Sequence, residues 1–350
     1  MAMMKAASAL PQSKRNWAAC VRPYREPSLW RALWELAITI LPFFASLSGL
    51  AAATLNGWWL LYAFLLLPTA GFLVRLFMIQ HDCGHGAFFP RRRANIWTGR
   101  LIGILTLTPF DHWQRNHALH HAGTGNLDRR GVGDIDTLTV SEYDARSFGG
   151  RLAYRLYRHP LIMFVVGPVY FFALENRLPV GFMRHGSMPW ISTMGTNLGI
   201  FLVIVAASIL SGPLAVALTY VPVMMIAAAV GVWLFYVQHQ FEDTYWARSA
   251  TWNAQDAALH GSSYYDLPQP LRWLSADIGL HHIHHLSSRI PFYRLQEVLD
   301  TYPELENVRR ITVAGSIATV RLVLWDEARA QLISFETYKA QRQNALTGVR

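Results

Sequence analysis

The sequence predicts an all-α polytopic membrane protein: four transmembrane helices in two hairpins, with a helical cap on one membrane face that holds a His-rich di-metal site. Three observations predict this. The 350 residues are 52% hydrophobic and only 15% charged, with a positive mean hydropathy, which is more apolar than a soluble domain. Four apolar runs are long enough to cross a bilayer, whose ~30 Å hydrocarbon core takes about 20 helical residues. Nine of the fourteen histidines fall in three short clusters separated by apolar segments.

Residues 1–29 carry Lys5, Lys14, Arg15, Arg22 and Arg25 against one acid, Glu26. They lack the continuous apolar core of a secretory signal and read as a basic cytoplasmic tail, although an organellar transit peptide shares the Ala, Ser and Arg bias. The membrane domain is expected over residues 30–295. Its first hairpin spans about 30–55 and 58–80, joined by the uncharged Asn56-Gly57, and its second spans about 190–210 and 214–237, joined by Ser211-Gly212-Pro213. Lys and Arg gather on the segments away from these links, which by the positive-inside rule puts both termini and every histidine cluster in the cytoplasm.

Two shorter apolar stretches, Ile96 to Phe110 and Leu161 to Leu174, lie between the hairpins. Both read as interfacial or re-entrant, because a full crossing by the first would put His81 and His117 on opposite faces of the bilayer. The cap then comprises residues 81–189 and 238–295. Residues 296–350 are expected to be a helical cytoplasmic extension, with Val308 to Ala328 as an amphipathic helix. Gly123 to Gly133 reads as a loop by its turn chemistry.

The net charge of +9 is scattered along segments that flank apolar runs, without an aromatic-interleaved groove, so nucleic acid is not an expected partner. The two cysteines, Cys20 and Cys83, imply no disulfide framework.

The clusters are His81-Asp-Cys-Gly-His85, His117-Ala-Leu-His120-His121 and His281-His-Ile-His284-His285. Intervals of three and four residues put imidazoles on one face of a helix, with Cβ atoms about 5–6 Å apart, and imidazole is the commonest side-chain metal ligand. His239 follows the last apolar run directly. With it, ten imidazoles converge on one membrane face, too many for one metal, so a two-metal site fits the count. Imidazole alone does not choose among zinc, copper, iron and nickel. No His-Glu-x-x-His or Glu-x-x-His motif is present, which disfavours hydrolysis and carboxylate-bridged chemistry.

At these residues the sequence resembles the membrane fatty acid desaturases, whose three boxes are His-x(3–4)-His, His-x(2–3)-His-His and (His/Gln)-x(2–3)-His-His. All three match, in order and in spacing from the hairpins, over roughly residues 30 to 295. The resemblance implies a non-haem di-iron enzyme that uses O2 and two electrons to leave a cis double bond in an acyl chain. It implies nine ligands: His81, His85, His117, His120, His121, His239, His281, His284 and His285. His282 fills a variable position of the third box, and His112, His159, His185 and His260 match no box. The four-residue interval of the first box and the true His opening the third resemble the acyl-lipid omega-6/delta-12 and omega-3 type, in a bacterial spelling, which implies a bacterial inner membrane. In one departure, Phe235 stands where the animal acyl-CoA branch carries an Asn that holds a metal-bound water.

Metal-bound histidines usually donate their outer N–H to an acid or a carbonyl. Asp277, Asp82 and Asp243 are the leading candidates for that role, from a wider set that includes Asp111, Asp134, Asp136, Glu242 and Asp266. No His-Pro-Gly-Gly haem signature occurs, so electrons are expected from a separate protein, ferredoxin by the bacterial resemblance or else cytochrome b5. Arg91, Arg92, Arg93, Arg129 and Arg130 suit either an acidic partner or lipid phosphates. Two alternatives stand beside desaturation: a hydroxylase or carotenoid ketolase on the same scaffold, and a metal-binding membrane protein without redox turnover.

Overall fold

A computed structural model describes residues 15–131 and 133–347. Residues 1–14, the first half of the expected basic tail, lie outside it. Four helices are long and apolar enough to span a membrane: α1 (Leu29–Asn56), α2 (Trp59–Gly84), and, further along the chain, Met188–Ser211 and Pro213–His239. The shortest has 24 residues, and at 1.5 Å per residue it reaches ~36 Å, enough for the hydrocarbon core. Local chemistry sets the hairpin turns. The Ser28 side chain accepts from Arg31 N to cap α1, which Gly57 closes at φ 69°, a left-handed conformation that glycine adopts without steric penalty. Trp30, Trp34, Trp58 and Trp59 are exposed at the helix ends, where an aromatic belt meets the headgroups.

Between the hairpins, α3 (Arg92–Leu105) and α4 (Phe110–Gly123) form a short antiparallel pair. The reversal between them is why Ile96 to Phe110 is not a crossing. Backbone carbonyls in an apolar surround need partners, and the turn finds them in side chains from other elements. Tyr220 donates to Leu105 O, Arg177 to Leu107 O, and Gln80 Nε2 to Thr108 O at 3.2 Å. Thr106 Oγ1 in turn donates to Gln80 Oε1 at 2.6 Å. Gly103 lets the turn close on α3, since a Cβ there would lie 2.4 Å from Thr108 O. α5 (Phe148–Tyr157) and the stretch Ile162–Arg177 meet at a 59° bend, so the apolar run Leu161 to Leu174 forms the arm that follows the bend. The second hairpin is α6 (Met188–Ser211) and α7 (Pro213–His239), with Gly212 at φ 84° and Pro213 opening α7.

The cap continues through α8 (His281–Leu286) and then departs from expectation. Val308 to Ala328 is not an amphipathic helix: it holds strand, α9 (Val313–Thr319) and strand, before α10 (Phe335–Thr347). Strand β1 (Leu138–Thr139) pairs with β4 (Leu322–Asp326), which pairs with β5 (Gln331–Ser334), while β2 (Tyr264–Asp266) pairs with β3 (Arg310–Thr312). The reason is long-range pairing: Leu-Val-Leu-Trp and Arg-Ile-Thr suit strands once partners from earlier in the chain lie alongside. The chain is otherwise helical, as expected, and its four apolar helices make it a multi-pass membrane protein.

Two charges lie inside the first hairpin. Arg75 on α2 and Glu35 on α1 are both buried and form an ion pair. Arg75 Nε also donates to Thr39 Oγ1 at 3.1 Å, and its guanidinium donates to Trp273 O, linking the hairpin to the segment that leads into α8.

Candidate metal centre

Each cluster is carried by a helix end. His81 lies in the last turn of α2 and His85 caps it; His117, His120 and His121 occupy the C-terminal turns of α4; His239 ends α7; His281, His284 and His285 lie on α8. Antiparallel α3 and α4 return the second cluster to the face where α2 ends. The structure sorts nine imidazoles into two groups: His81, His85, His117, His121 and His284 in one, and His120, His239, His281 and His285 in the other. Within each group the candidate ligand atoms lie within 4.8 Å of one another.

The donor set fits metal ions. Nε2 atoms face one another at 3.1 Å between His117 and His121, 3.1 Å between His121 and His284, 2.9 Å between His239 and His281, and 3.0 Å between His281 and His285. Two nitrogens each ~2.1 Å from one metal stand ~3.0 Å apart at a right angle and ~3.4 Å apart at the tetrahedral angle. The spacing is therefore short enough for neighbouring rings of one group to share a single ion. The buried His85 Nε2 and His120 Nε2 have no hydrogen-bond partner among the described residues, as inward-facing lone pairs awaiting a cation do. Burial first, and neighbouring imidazoles second, hold His85, His117, His121, His281, His284 and His285 well below the ordinary histidine range. They are thus kept in the neutral form that binds metal.

Outer partners fix several rings. His81 Nδ1 lies 3.2 Å from Asp82 Oδ1, whose other oxygen accepts from Phe292 N at 2.6 Å. His120 Nδ1 meets Asp134, and His239 Nδ1 donates to Gly261 O at 3.0 Å. Each such bond leaves Nε2 free to face inward. Asp277 and Asp243 do not serve this way. Asp277 sits in a left-handed turn at φ 53° ahead of α8 and pairs with Arg272, so it is not one helical turn before His281. Asp243 is exposed and pairs with Arg309 at 3.5 Å. Asp134, one of the wider set, is the residue that reaches a ring instead.

His282 is buried against Tyr264 and belongs to neither group; burial pushes it down to about 4. His112 meets Asn116, His159 Nδ1 accepts from Leu161 N, His185 packs on Phe182, and His260 is exposed in the last turn of a short helix. Sequence reading did not single out Trp113, whose indole stacks on His117 with centroids 4.6 Å apart and planes at 16°. Its position one turn before His117 was the available signal. The Gly261 carbonyl has no such signal, being backbone from a distant segment. Phe235 packs 5.1 Å from the His120 ring and 5.3 Å from the His239 ring, so an apolar ring borders the four-imidazole group.

In Asp134→Asn, metal affinity at the four-imidazole group should fall by about 10–100-fold, the usual effect of losing an outer partner. In Asp277→Asn it should stay unchanged. Equilibrium dialysis against a metal buffer reads both, and equal effects would contradict the placement of the two carboxylates.

A family model described as fatty acid desaturase matches residues 56–310. The chain is 43% identical over 319 residues to a fatty acid desaturase of Bacillus subtilis (strain 168), covering 91% of this chain and 90% of that one. It is 30% identical over 291 residues to the sn-1 acyl-lipid omega-3 desaturase (ferredoxin) of Synechocystis sp., covering 79% and 76%. It is 26% identical over 241 residues to the sn-1 oleoyl-lipid 12-desaturase of the same organism, covering 64% and 63%. With the family model covering α2, the whole second hairpin and all three histidine clusters, the chain belongs to the fatty acid desaturase family of membrane oxidoreductases.

Proposed function

We propose that this protein is an O2-dependent acyl-lipid desaturase of omega-6/delta-12 type, acting through two irons held by the nine imidazoles. One observation carries the reading: the histidines of three separate boxes, with His239, converge as groups of five and four at the ends of membrane helices. Bound iron would supply the oxidising power to remove hydrogen from unactivated methylenes, which no acid or base can do. The balance is one acyl CH2–CH2, O2, two electrons and two protons giving one CH=CH and two waters.

His81, His85, His117, His121 and His284 would hold one iron, and His120, His239, His281 and His285 the other. Asp82, Asp134 and Gly261 O keep their rings turned inward. An acyl lipid suits a site at the membrane face, and the relatives named for acyl-lipid substrates support that class. The membrane domain is taken as residues 30–295, in a bacterial inner membrane, with termini and site on the cytoplasmic side, as the Lys and Arg distribution favours. A separate protein supplies electrons, and ferredoxin is the class the Synechocystis relative's name supports.

Expression in a host of known lipid composition tests this. A new diene from a monoene is the expected product, and a hydroxy or keto lipid would place the chain among oxygen-inserting enzymes instead. Zinc without any oxidised product would overturn the redox reading.

A further inference from the structure

Three segments distant in sequence pack into one surface beside the metal centre. Arg25 Nε donates to Ser287 Oγ at 2.7 Å, Tyr293 donates to Phe88 O at 3.2 Å, and Arg294 donates to Pro23 O at 3.3 Å and Glu26 O at 3.2 Å. Together these bonds join residues 22–28, 88–93 and 287–294. The assembled surface carries Arg22, Arg91, Arg92, Arg93 and Arg289, all exposed and none ion-paired among the described residues. Its acids are few: Glu297 is taken by Arg294, and Glu26 is the other. Of the other two arginines that sequence suggested for a basic partner face, Arg130 pairs with Glu142, and Arg129 is exposed but lies outside these three segments.

This surface is also wired to the site. Phe292 N, within the same segment, donates to Asp82 Oδ2, and Asp82 Oδ1 reaches His81 Nδ1. The segment that carries Arg289 and Arg294 is therefore tied, through the buried Phe292 and one carboxylate, to a member of the five-imidazole group.

We propose that the arginine face of residues 22–28, 88–93 and 287–294 is the docking surface for an acidic, ferredoxin-type electron donor. This rests on the desaturase reading above. Two reduced donors each lose one electron per turnover, and with O2 and two protons those electrons leave as two waters while the acyl chain gains its double bond. Unpaired exposed charge of one sign raises encounter rates with an opposite partner and is screened by salt over ~8 Å at physiological ionic strength.

The test uses the metal-loaded protein in uncharged detergent micelles, with a plant-type [2Fe–2S] ferredoxin or a small uncharged photoreductant as electron source. In Arg91→Glu/Arg92→Glu/Arg289→Glu, ferredoxin-driven reduction should slow by roughly ten-fold or more at low salt and lose most of its salt dependence. Photoreductant-driven reduction should stay within about two-fold. A matched reversal elsewhere, Arg129→Glu/Arg146→Glu/Arg321→Glu, should leave both rates near wild type. An unchanged ferredoxin rate, or equal loss in the matched reversal, overturns the proposal. So does a loss seen only in vesicles containing anionic lipid, which would make the face a headgroup contact. Wild-type product formation with the photoreductant tests the desaturase reading separately; product with the photoreductant but none with ferredoxin overturns only the docking surface.

Discussion

In His120→Ala, lipid desaturation should disappear while the membrane-inserted protein remains at near wild-type abundance. His120 is one of four imidazoles in its group and sits where His239, His285, Phe235 and Asp134 all meet it. Its loss leaves three nitrogens for one metal and strands the largely buried Asp134 carboxylate, whose charge then lacks its histidine. The effect should exceed the ~10–100-fold typical of losing only an outer partner. Metal content should fall from two ions per chain toward one, because the five-imidazole group does not use His120. The four membrane helices do not depend on this ring, so abundance should hold. His185→Ala is the internal comparison: that ring packs on Phe182, outside both groups, and its removal should leave activity largely intact. Lipid profiling with metal analysis reads both variants, and retained product in His120→Ala would break the assignment.

The membrane part was legible because lipid imposes a simple demand, about 20 apolar residues per crossing, and composition alone records it. The histidine clusters were legible because ligand spacing is local: intervals of three and four need only a helix. What escaped is nonlocal. The polarity of Gln80 has no meaning along its own helix and becomes clear only beside Thr106 and the Thr108 carbonyl. Asp277 looked well placed on the assumption of a helix running into His281, but a left-handed turn and Arg272 take it elsewhere. Residues 308–328 carry apolar positions that either a helix or paired strands can bury, and the decision rests with Leu138–Thr139 and Tyr264–Asp266, far upstream. Likewise, five exposed arginines in three segments become one surface only after folding, while Arg130 is neutralised by a glutamate twelve residues away.

The ion pair within the first hairpin should prove the least replaceable structural contact outside the metal centre. In Glu35→Gln, Arg75 keeps Thr39 Oγ1 and Trp273 O but loses the carboxylate that, among the described residues, is the only one in direct contact with it. A buried cation without its counter-ion is destabilising by about 3–5 kcal/mol, because the desolvation already incurred is no longer offset by the pair. The same reasoning applies to Arg75→Met, softened there because Glu35 retains Arg31 at 2.8 Å. Glu35→Gln should therefore be the more damaging of the two, read as the larger drop in thermal aggregation temperature in detergent. Replacing both members, Glu35→Leu with Arg75→Leu, should be less destabilising than Glu35→Gln alone, since buried pairs exchange for apolar packing at little net cost. The double variant still forfeits the bond to Trp273 O. That carbonyl belongs to the segment leading through Asp277 into α8, so metal retention should fall even where the aggregation temperature recovers. An intramembrane charge ordinarily suggests a transport path, and a path would need the pair open to water at some stage. Here Arg75 packs 4.1 Å from the Trp273 ring and 5.2 Å from the Phe292 ring. The pair is enclosed on the side where the hairpin meets the cap. A double variant that is less stable than Glu35→Gln would mean the charges contribute beyond their mutual neutralisation, and the structural reading of the pair would then be wrong.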